Sequence, residues 1–222
     1  MRLETYPSRP ALMAGLAQAM AGELRAALSH GPATLSVPGG ATPGPVFEAL
    51  SATDLDWARV FVLLNDERWV GIDSPRSNTR LLRERLLVGR AAVATLLPLY
   101  LDRPAPEDGL AALACGIAPH LPITVLLLGM GNDMHTASLF PGADRLAEAL
   151  SPEAPVLMAL RSEAAGEPRI TLTARVLQAA RHIHILITGD EKRAALERAL
   201  QLPALQAPIG VMLDRATVHW AE

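Results

Sequence analysis

The chain has 222 residues, 50% of them hydrophobic, and a formal net charge of −3. This length allows one large α/β domain or two small ones, and the acidic balance argues against nucleic acid as a partner. The single cysteine, Cys115, excludes an internal disulfide and a cysteine-based zinc site. It lies in an apolar helical stretch, so we expect a buried and inert thiol.

The amino-terminal segment and the apolar runs bear on the location of the protein. Residues 1–7 lack the apolar core of a signal peptide, and no apolar run is long enough to span a membrane. We therefore expect a cytoplasmic protein with no membrane partner.

Predicted helices and strands alternate along the first half of the chain. Leucine and methionine side chains recur at near-helical spacing after Ser8, a plausible N-cap, and His30-Gly31 is a reasonable stop. The elements predicted for this half are a helix over 8–30, a strand over 33–37, a helix over 46–50, a strand over 59–64, a helix over 78–87 capped by Asn78, and a strand over 95–99.

The second half continues the alternation. Its predicted elements are a helix over 107–119, a strand over 125–128, a strand over 155–160, a helix over 173–180, a strand over 182–188, a helix over 190–200 and a last short strand over 210–213. Because strands alternate with helices throughout, we predict one α/β domain over residues 1–222, with a mostly parallel Rossmann-like sheet and helices on both faces.

The apolar run Val125–Leu128 leads directly into a glycine loop that carries Asp133 and His135. An uninterrupted apolar run predicts a strand buried on both faces, and open α/β sheets bind ligands beyond the carboxyl ends of such strands. An imidazole there can take a proton from water, and a neighbouring carboxylate can orient the ring. The residues alone leave open whether His135 is catalytic or an ordinary loop histidine.

Two further polar segments follow predicted strands. Gly39, Gly40 and Thr42 stand between a strand and a helix, where glycines let the backbone approach an anion and free N–H groups favour negative charge. A simple tight turn is the alternative. Asp66 and Arg68 follow the next strand, where a solvated loop would have a similar composition.

Other motifs carry less weight. The glycines at 129–131 lack the third glycine of a dinucleotide fingerprint, since Met134 stands in its place. Ser138 has no flanking glycines of a nucleophile elbow. His182 and His184 alternate on a predicted strand without a nearby third ligand, so we interpret them as packing residues. We expect no metal site and no cofactor.

Longer motifs give the chain a family resemblance. It resembles the 6-phosphogluconolactonases, which share a superfamily with the glucosamine-6-phosphate isomerases/deaminases. The motifs occur in the family order, and they are GGATP at 39–43, NDERWV at 65–70 with SN at 77–78, GMGNDMHTASLFPG at 129–142, RITL at 169–172 and GDEK at 189–192.

The resemblance implies hydrolysis of 6-phospho-D-glucono-1,5-lactone to 6-phospho-D-gluconate, a step of the oxidative pentose phosphate pathway, without a metal. It implies that His135 is the general base and that Asp133 orients its ring. A phosphate site is implied at Gly39, Gly40 and Thr42, with Arg169 and Lys192 supplying positive charge.

Asp66 and Arg68 are implied to contact the substrate as well. Asp66 would hold sugar hydroxyls or Arg68. The group that stabilises the oxyanion is left open between the Arg68 guanidinium and backbone N–H groups of the glycine loops.

The sequence departs from the family pattern at Met134, where glycine is usual. If this position has a positive φ, methionine adds strain on the order of 1 kcal/mol or more. Phe140 stands where the deaminases have a glutamate that assists ring opening, so the deaminase interpretation lacks a catalytic group. A non-catalytic sugar-phosphate-binding domain is the other alternative. Either a monomer or a homodimer is compatible with the sequence.

Overall fold

The computed structural model describes residues 1–222, and a seven-stranded sheet of parallel strands forms its centre. The α/β class with a mostly parallel sheet is confirmed. The strands, in chain order, are β1 (Arg2–Thr5), β2 (Ala33–Val37), β3 (Val60–Leu64), β4 (Asp66–Arg68), β5 (Thr95–Leu97), β6 (Val125–Gly129), β7 (Leu157–Leu160), β8 (Arg169–Leu172), β9 (His182–Thr188) and β10 (Thr217–Ala221).

Helices flank the sheet and cover its apolar residues. They are α1 (Arg9–Leu28), α2 (Gly44–Ala52), α3 (Asn78–Arg85), α4 (Leu110–Ile117), α5 (Leu146–Ala149), α6 (Ala174–Gln178), α7 (Asp190–Ala199) and α8 (Gly210–Leu213). Ser8 caps α1 as predicted, because its side chain accepts a hydrogen bond from the N–H of Ala11. No helix of the chain combines the length and the apolar composition that crossing a bilayer would require.

The order of the large sheet creates a crevice at one edge. The order is β1-β10-β9-β6-β2-β3-β5, so the chain runs outward from β2 through β3 to β5 and then returns to the other side of β2 at β6. The loops that follow β2 and β6 therefore leave the sheet in opposite directions, which opens the space between them.

Asn65 bridges the point at which β2 and β6 separate. These strands pair only at Leu35–Val125 and Ser36–Leu126. Beyond that point the fully buried Asn65 side chain accepts a hydrogen bond of 2.7 Å from the Ser36 hydroxyl and donates one of 2.7 Å to the carbonyl of Leu127. Asn65 thus replaces the missing ladder hydrogen bonds at the floor of the crevice.

A second, three-stranded antiparallel sheet, β4-β8-β7, stands beside the crevice and was not predicted. In the β4–β8 pair, Arg68 is opposite Arg169 and Asp66 is opposite Thr171. This pairing brings the polar residues that follow β3 next to a segment from much later in the chain.

Several predictions were wrong in detail. Residues 210–213 form the short helix α8 rather than a strand, and the last strand is β10. Ser77, not Asn78, caps α3, because its side chain accepts a hydrogen bond from the N–H of Arg80. Cys115 is exposed, since it lies on the outer side of α4 while Leu113 and Ile117 of the same helix are buried.

Candidate active site

A cleft of about 380 Å³ opens at the carboxyl ends of β2 and β6. It brings together the predicted site residues from the whole length of the chain. Those that line it are Gly39, Gly40, Thr42, Asp66, Arg68, His135, Arg169 and Lys192. Asp133 is exposed and does not itself line the cleft, but its side chain contacts His135.

Asp133 and His135 form a close pair in the loop after β6. Asp133 Oδ1 lies 2.5 Å from His135 Nδ1 and also accepts a hydrogen bond of 3.3 Å from the His135 backbone N–H. An ionised carboxylate can only accept hydrogen bonds, so Nδ1 donates to Asp133, and in the neutral imidazole Nε2 then carries the lone pair. His135 Nε2 makes no hydrogen bond within the chain, and this is the arrangement that a general base requires.

Gly131 and Phe140 pack against the imidazole on two further sides and leave Nε2 open to the cleft. A Cβ added to Gly131 would lie 2.2 Å from His135 Nδ1 and 2.3 Å from Asp133 Oδ1, so only glycine fits there. The Phe140 ring stacks on His135 with ring centroids 4.1 Å apart and an interplanar angle of 30°. Neither residue was predicted to belong to the site, although both lie within the family motif at 129–142.

Met134 has the left-handed backbone conformation that the family glycine suggested. Its φ is 65°, a value that costs a residue with a Cβ about 1 kcal/mol or more. The loop therefore keeps its path with methionine in this position. Its N–H donates to the Gly131 carbonyl at 3.0 Å, and its side chain packs against the core.

The glycine turn after β2 presents free donors to the cleft. The backbone N–H groups of residues 39–42 make no hydrogen bond within the chain. Gly40 has a φ of 85°, and Gly39 packs so closely that a Cβ would lie 2.0 Å from Asn78 Oδ1. Successive unpaired N–H groups in such a turn form a concave site for an anion. This arrangement favours the predicted anion cradle over a simple tight turn.

Three cations line the cleft, and two of them, Arg169 and Lys192, were predicted to supply charge to a phosphate. Arg169 is 8% exposed and its Nε has no hydrogen-bond partner, while Lys192 is half-buried and its only hydrogen bond goes to the Met130 carbonyl. Burial lowers the pKa of both groups, although the charge of Asp66 opposes this effect at Arg169 and that of Asp133 opposes it at Lys192. A buried cation with an unused donor gains free energy from an anionic ligand.

Asp66 pairs with groups other than the expected Arg68. Its Oδ2 accepts a hydrogen bond of 2.5 Å from the Ser138 hydroxyl and lies 3.6 Å from Arg169 Nη1. Arg68 is instead held by Asn78, whose Oδ1 accepts a hydrogen bond of 2.8 Å from Arg68 Nη1. Ser138 orients Asp66 and was not predicted as a site residue, although it lies within the family motif at 129–142.

Glu67 is a structural group. Its fully buried carboxylate accepts hydrogen bonds from the N–H groups of Asn78 at 2.8 Å and Thr79 at 2.7 Å, at the first turn of α3. It also accepts one of 2.8 Å from the N–H of Arg68. Glu67 thereby fixes α3 against β4 and does not reach the cleft.

The chain matches a known protein family over almost its full length. The family model for glucosamine-6-phosphate isomerases/6-phosphogluconolactonase matches residues 7–220. A 6-phosphogluconolactonase of Mesorhizobium japonicum is 42% identical, with 97% of this chain and 93% of that protein covered. The Pseudomonas aeruginosa 6-phosphogluconolactonase is 39% identical, with 98% of this chain and 94% of that protein covered.

Solved structures show the same fold. A crystal structure of a 6-phosphogluconolactonase from Shewanella baltica superimposes with a TM-score of 0.96 at 34% identity, and it covers 100% of this chain and 98% of that one. A monomeric glucosamine-6-phosphate deaminase superimposes with a TM-score of 0.81 at 16% identity, so that comparison concerns the fold alone.

Proposed function

Because the chain belongs to the glucosamine-6-phosphate isomerase/6-phosphogluconolactonase family, we propose that it is an enzyme that hydrolyses 6-phospho-D-glucono-1,5-lactone to 6-phospho-D-gluconate in the pentose phosphate pathway. Relatives at 36–42% identity over most of the chain carry the name 6-phosphogluconolactonase. The observation that carries the mechanism is the Asp133–His135 pair, with Nε2 of the imidazole unpaired at the cleft.

In the proposed reaction, His135 Nε2 removes a proton from a water molecule while the water oxygen bonds to the lactone carbonyl carbon. Asp133 keeps the proton of the ring on Nδ1 and stabilises the imidazolium that forms. The bond between the carbonyl carbon and the ring oxygen then breaks, and His135 returns the proton to the departing ring oxygen. The product is one open-chain molecule that carries the released hydroxyl and a carboxylic acid, which ionises. A lactone carbonyl is already electrophilic, so these groups suffice without a covalent nucleophile.

The substrate phosphate is proposed to occupy the glycine turn. The free N–H groups of residues 39–42 and the Thr42 hydroxyl supply hydrogen bonds, and Arg169 and Lys192 supply charge. The 8% exposure of Arg169, which lines the cleft, supports this assignment, since a buried cation gains free energy from an anionic ligand.

Arg68 is the proposed donor to the oxyanion. The N–H of Gly131 is already bonded to the His135 carbonyl at 3.0 Å, so this amide of the central loop is not available. The Arg68 guanidinium lines the cleft and is held in place by Asn78. Asp66 is proposed to accept hydrogen bonds from the sugar hydroxyls. The hydroxyl of Ser138 donates to Asp66 Oδ2 and fixes the orientation of the carboxylate.

The test measures lactone loss above the spontaneous rate for the wild type, for His135→Ala and for His30→Ala, an exposed histidine outside the cleft. We expect His135→Ala to lose on the order of 100-fold or more in kcat, the usual contribution of a positioned base, and His30→Ala to match the wild type. Equal rates for wild type and His135→Ala would refute the proposed base. Release of ammonia from glucosamine-6-phosphate by the wild type would support the deaminase instead.

A further inference from the structure

The hydrogen bond that His135 Nδ1 donates to Asp133 Oδ1 does not by itself fix the orientation of the His135 ring. A single hydrogen bond at Nδ1 restrains one atom of the ring and leaves the imidazole able to tilt through its side-chain torsions χ1 and χ2. Such a motion would carry Nε2 away from a water molecule in the cleft. A second constraint, applied to the flat face of the ring, is needed to hold Nε2 in one direction.

Phe140 supplies this second constraint. Its ring is buried, with 7% exposure, and stacks on the imidazole at a centroid distance of 4.1 Å. The guanidinium of Arg169 lies over the same ring, 5.9 Å from its centroid. One aromatic side chain therefore contacts both the candidate base and a cation of the candidate phosphate site.

The loop geometry keeps Phe140 in this position. The turn from Thr136 to Leu139 is closed by a backbone hydrogen bond of 2.9 Å, and Ala137 within it has a φ of 50°. The N–H of Ser138 donates to Thr171 Oγ1 at 3.2 Å, which fastens the turn to β8. The Phe140 ring is thus carried by a turn that is anchored to the same strand that bears Arg169.

We propose that Phe140 is a positioning residue of the hydrolase, whose ring holds the His135 imidazole in the one orientation that directs Nε2 at the attacking water. This inference rests on the proposed lactonase activity. Phe140 lines the cleft beside the imidazole, and its proposed effect on the chemical step is transmitted through the orientation of the His135 ring. Loss of the ring should therefore reduce the rate of the chemical step and leave substrate binding largely intact.

The chain offers a matched control for this substitution. Phe61 also packs against a histidine, His120, with ring centroids 3.9 Å apart and the rings tilted by 37°, and neither residue lines the cleft. Phe61→Leu therefore removes an equivalent aromatic contact from another part of the protein. Phe140→Met serves as a second test variant, because an unbranched side chain can fill the space without offering a flat face.

The experiment measures kcat and KM for Phe140→Leu, Phe140→Met, Phe140→Tyr and Phe61→Leu, each also in a His135→Ala background. We expect Phe140→Leu and Phe140→Met to lower kcat about 10- to 100-fold with KM changed less than about twofold, since small misplacements of a catalytic group have effects of this size. Phe140→Tyr, which keeps the ring, should restore kcat to within about threefold of the wild type. In the His135→Ala background, the loss of the ring should have no further effect.

The outcomes separate this inference from the function on which it rests. An unchanged kcat in Phe140→Leu and Phe140→Met, or an equal loss with and without His135, would overturn the positioning role while the lactonase assignment stands. Absence of any lactonase activity in the wild type would overturn both. A loss of the same size in Phe61→Leu would show that the effect reflects general destabilisation, and this would also overturn the positioning role.

Discussion

The backbone carbonyl of Met134 accepts a hydrogen bond of 3.1 Å from the N–H of Ile209, and this contact ties the loop of the candidate base to the start of α8. Met134 lies between the two members of the Asp133–His135 pair. The anchor explains how the loop keeps a positive φ at a residue with a side chain, because the surrounding contacts fix the conformation.

Substitution at Met134 should show how this strain is balanced. Met134→Gly removes the strain but gives the unfolded chain more freedom and deletes a packed side chain, so we expect the free energy of unfolding to change by less than about 1 kcal/mol. Met134→Val places a β-branched residue in the left-handed region and should lower the free energy of unfolding by about 1–2 kcal/mol. Urea unfolding measures both values. A valine variant as stable as the glycine variant would contradict the strain argument.

Gly131 should tolerate no side chain. A Cβ there would lie 2.2 Å from His135 Nδ1, so Gly131→Ala must displace the pair that the mechanism uses. We expect kcat to fall about 100-fold or more. Gly116→Ala is the control, since a Cβ at this helical position meets nothing within 4 Å. Steady-state kinetics measure kcat for both variants. A Gly131→Ala enzyme with the kcat of the wild type would show that a Cβ at this position does not displace the Asp133–His135 pair.

Lys192 should contribute mainly to substrate binding. Lys192→Met removes a cation that lines the cleft, and a charge-assisted hydrogen bond of about 1.5–3 kcal/mol corresponds to a rise in KM of roughly 10- to 150-fold. Arg193→Met removes the same charge from the neighbouring position of α7, outside the cleft, and should leave KM nearly unchanged. Inhibition constants for inorganic phosphate provide a second measurement. Equal KM values for Lys192→Met and the wild type would exclude Lys192 from the phosphate site.

A chain of hydrogen bonds connects α1 with β9 and β10, and the buried histidine within it should make the free energy of unfolding depend on pH. Tyr6 Oη lies 2.9 Å from His219 Nδ1, and His219 Nε2 lies 2.9 Å from His184 Nδ1. His184 Nε2 in turn lies 2.7 Å from Glu23 Oε2. Burial, with the nearby His184 and Arg2, lowers the pKa of His219 from 6.5 to about 4.

The unfolded chain therefore binds a proton at His219 as the pH falls below 6.5, whereas the folded chain resists protonation until about pH 4. The free energy of unfolding should decrease through this window by on the order of 2 kcal/mol, and the full contribution is present above it. Urea unfolding between pH 7 and pH 4.5 measures the slope. We expect a shallower slope for His219→Gln and an unchanged one for His30→Gln, and identical slopes for wild type and His219→Gln would contradict the prediction.

The elements that the sequence predicted well are those with a strong local signal. The run Val125–Leu128 is apolar at every position and is fully buried in β6. The strands that were missed are β1, β4, β8 and β10, which pair with distant segments and lack such a signal. β4 is 3 residues long and β8 is 4, and both are specified by their mutual pairing. The predicted strands β5 and β7 are equally short but mostly apolar, whereas β4 consists of three charged residues and has the composition of a solvated loop.

The error at residues 210–213 has a related cause. Gly210 to Leu213 is a short apolar run, which fits a strand or a buried helix equally well in sequence. The segment folds as a helix because of its tertiary contacts. The N–H of Ile209, the residue before the helix, donates to the Met134 carbonyl. Within the site, the polar residues were predictable from their motifs, whereas the aromatic contact of Phe140 with His135 depends on a turn that only the three-dimensional structure defines.

The pairing of β4 with β8 determines how late in synthesis of the chain the parts of the cleft can come together. Arg68 and Arg169 meet across this pair although they belong to opposite halves of the chain, and the base loop depends on Ile209, still later. A nascent polypeptide on the ribosome thus carries the glycine turn long before the segments that complete the cleft have emerged. The cleft is complete only after β8 and Ile209 have joined the fold, because an earlier intermediate has neither the second strand nor the anchor.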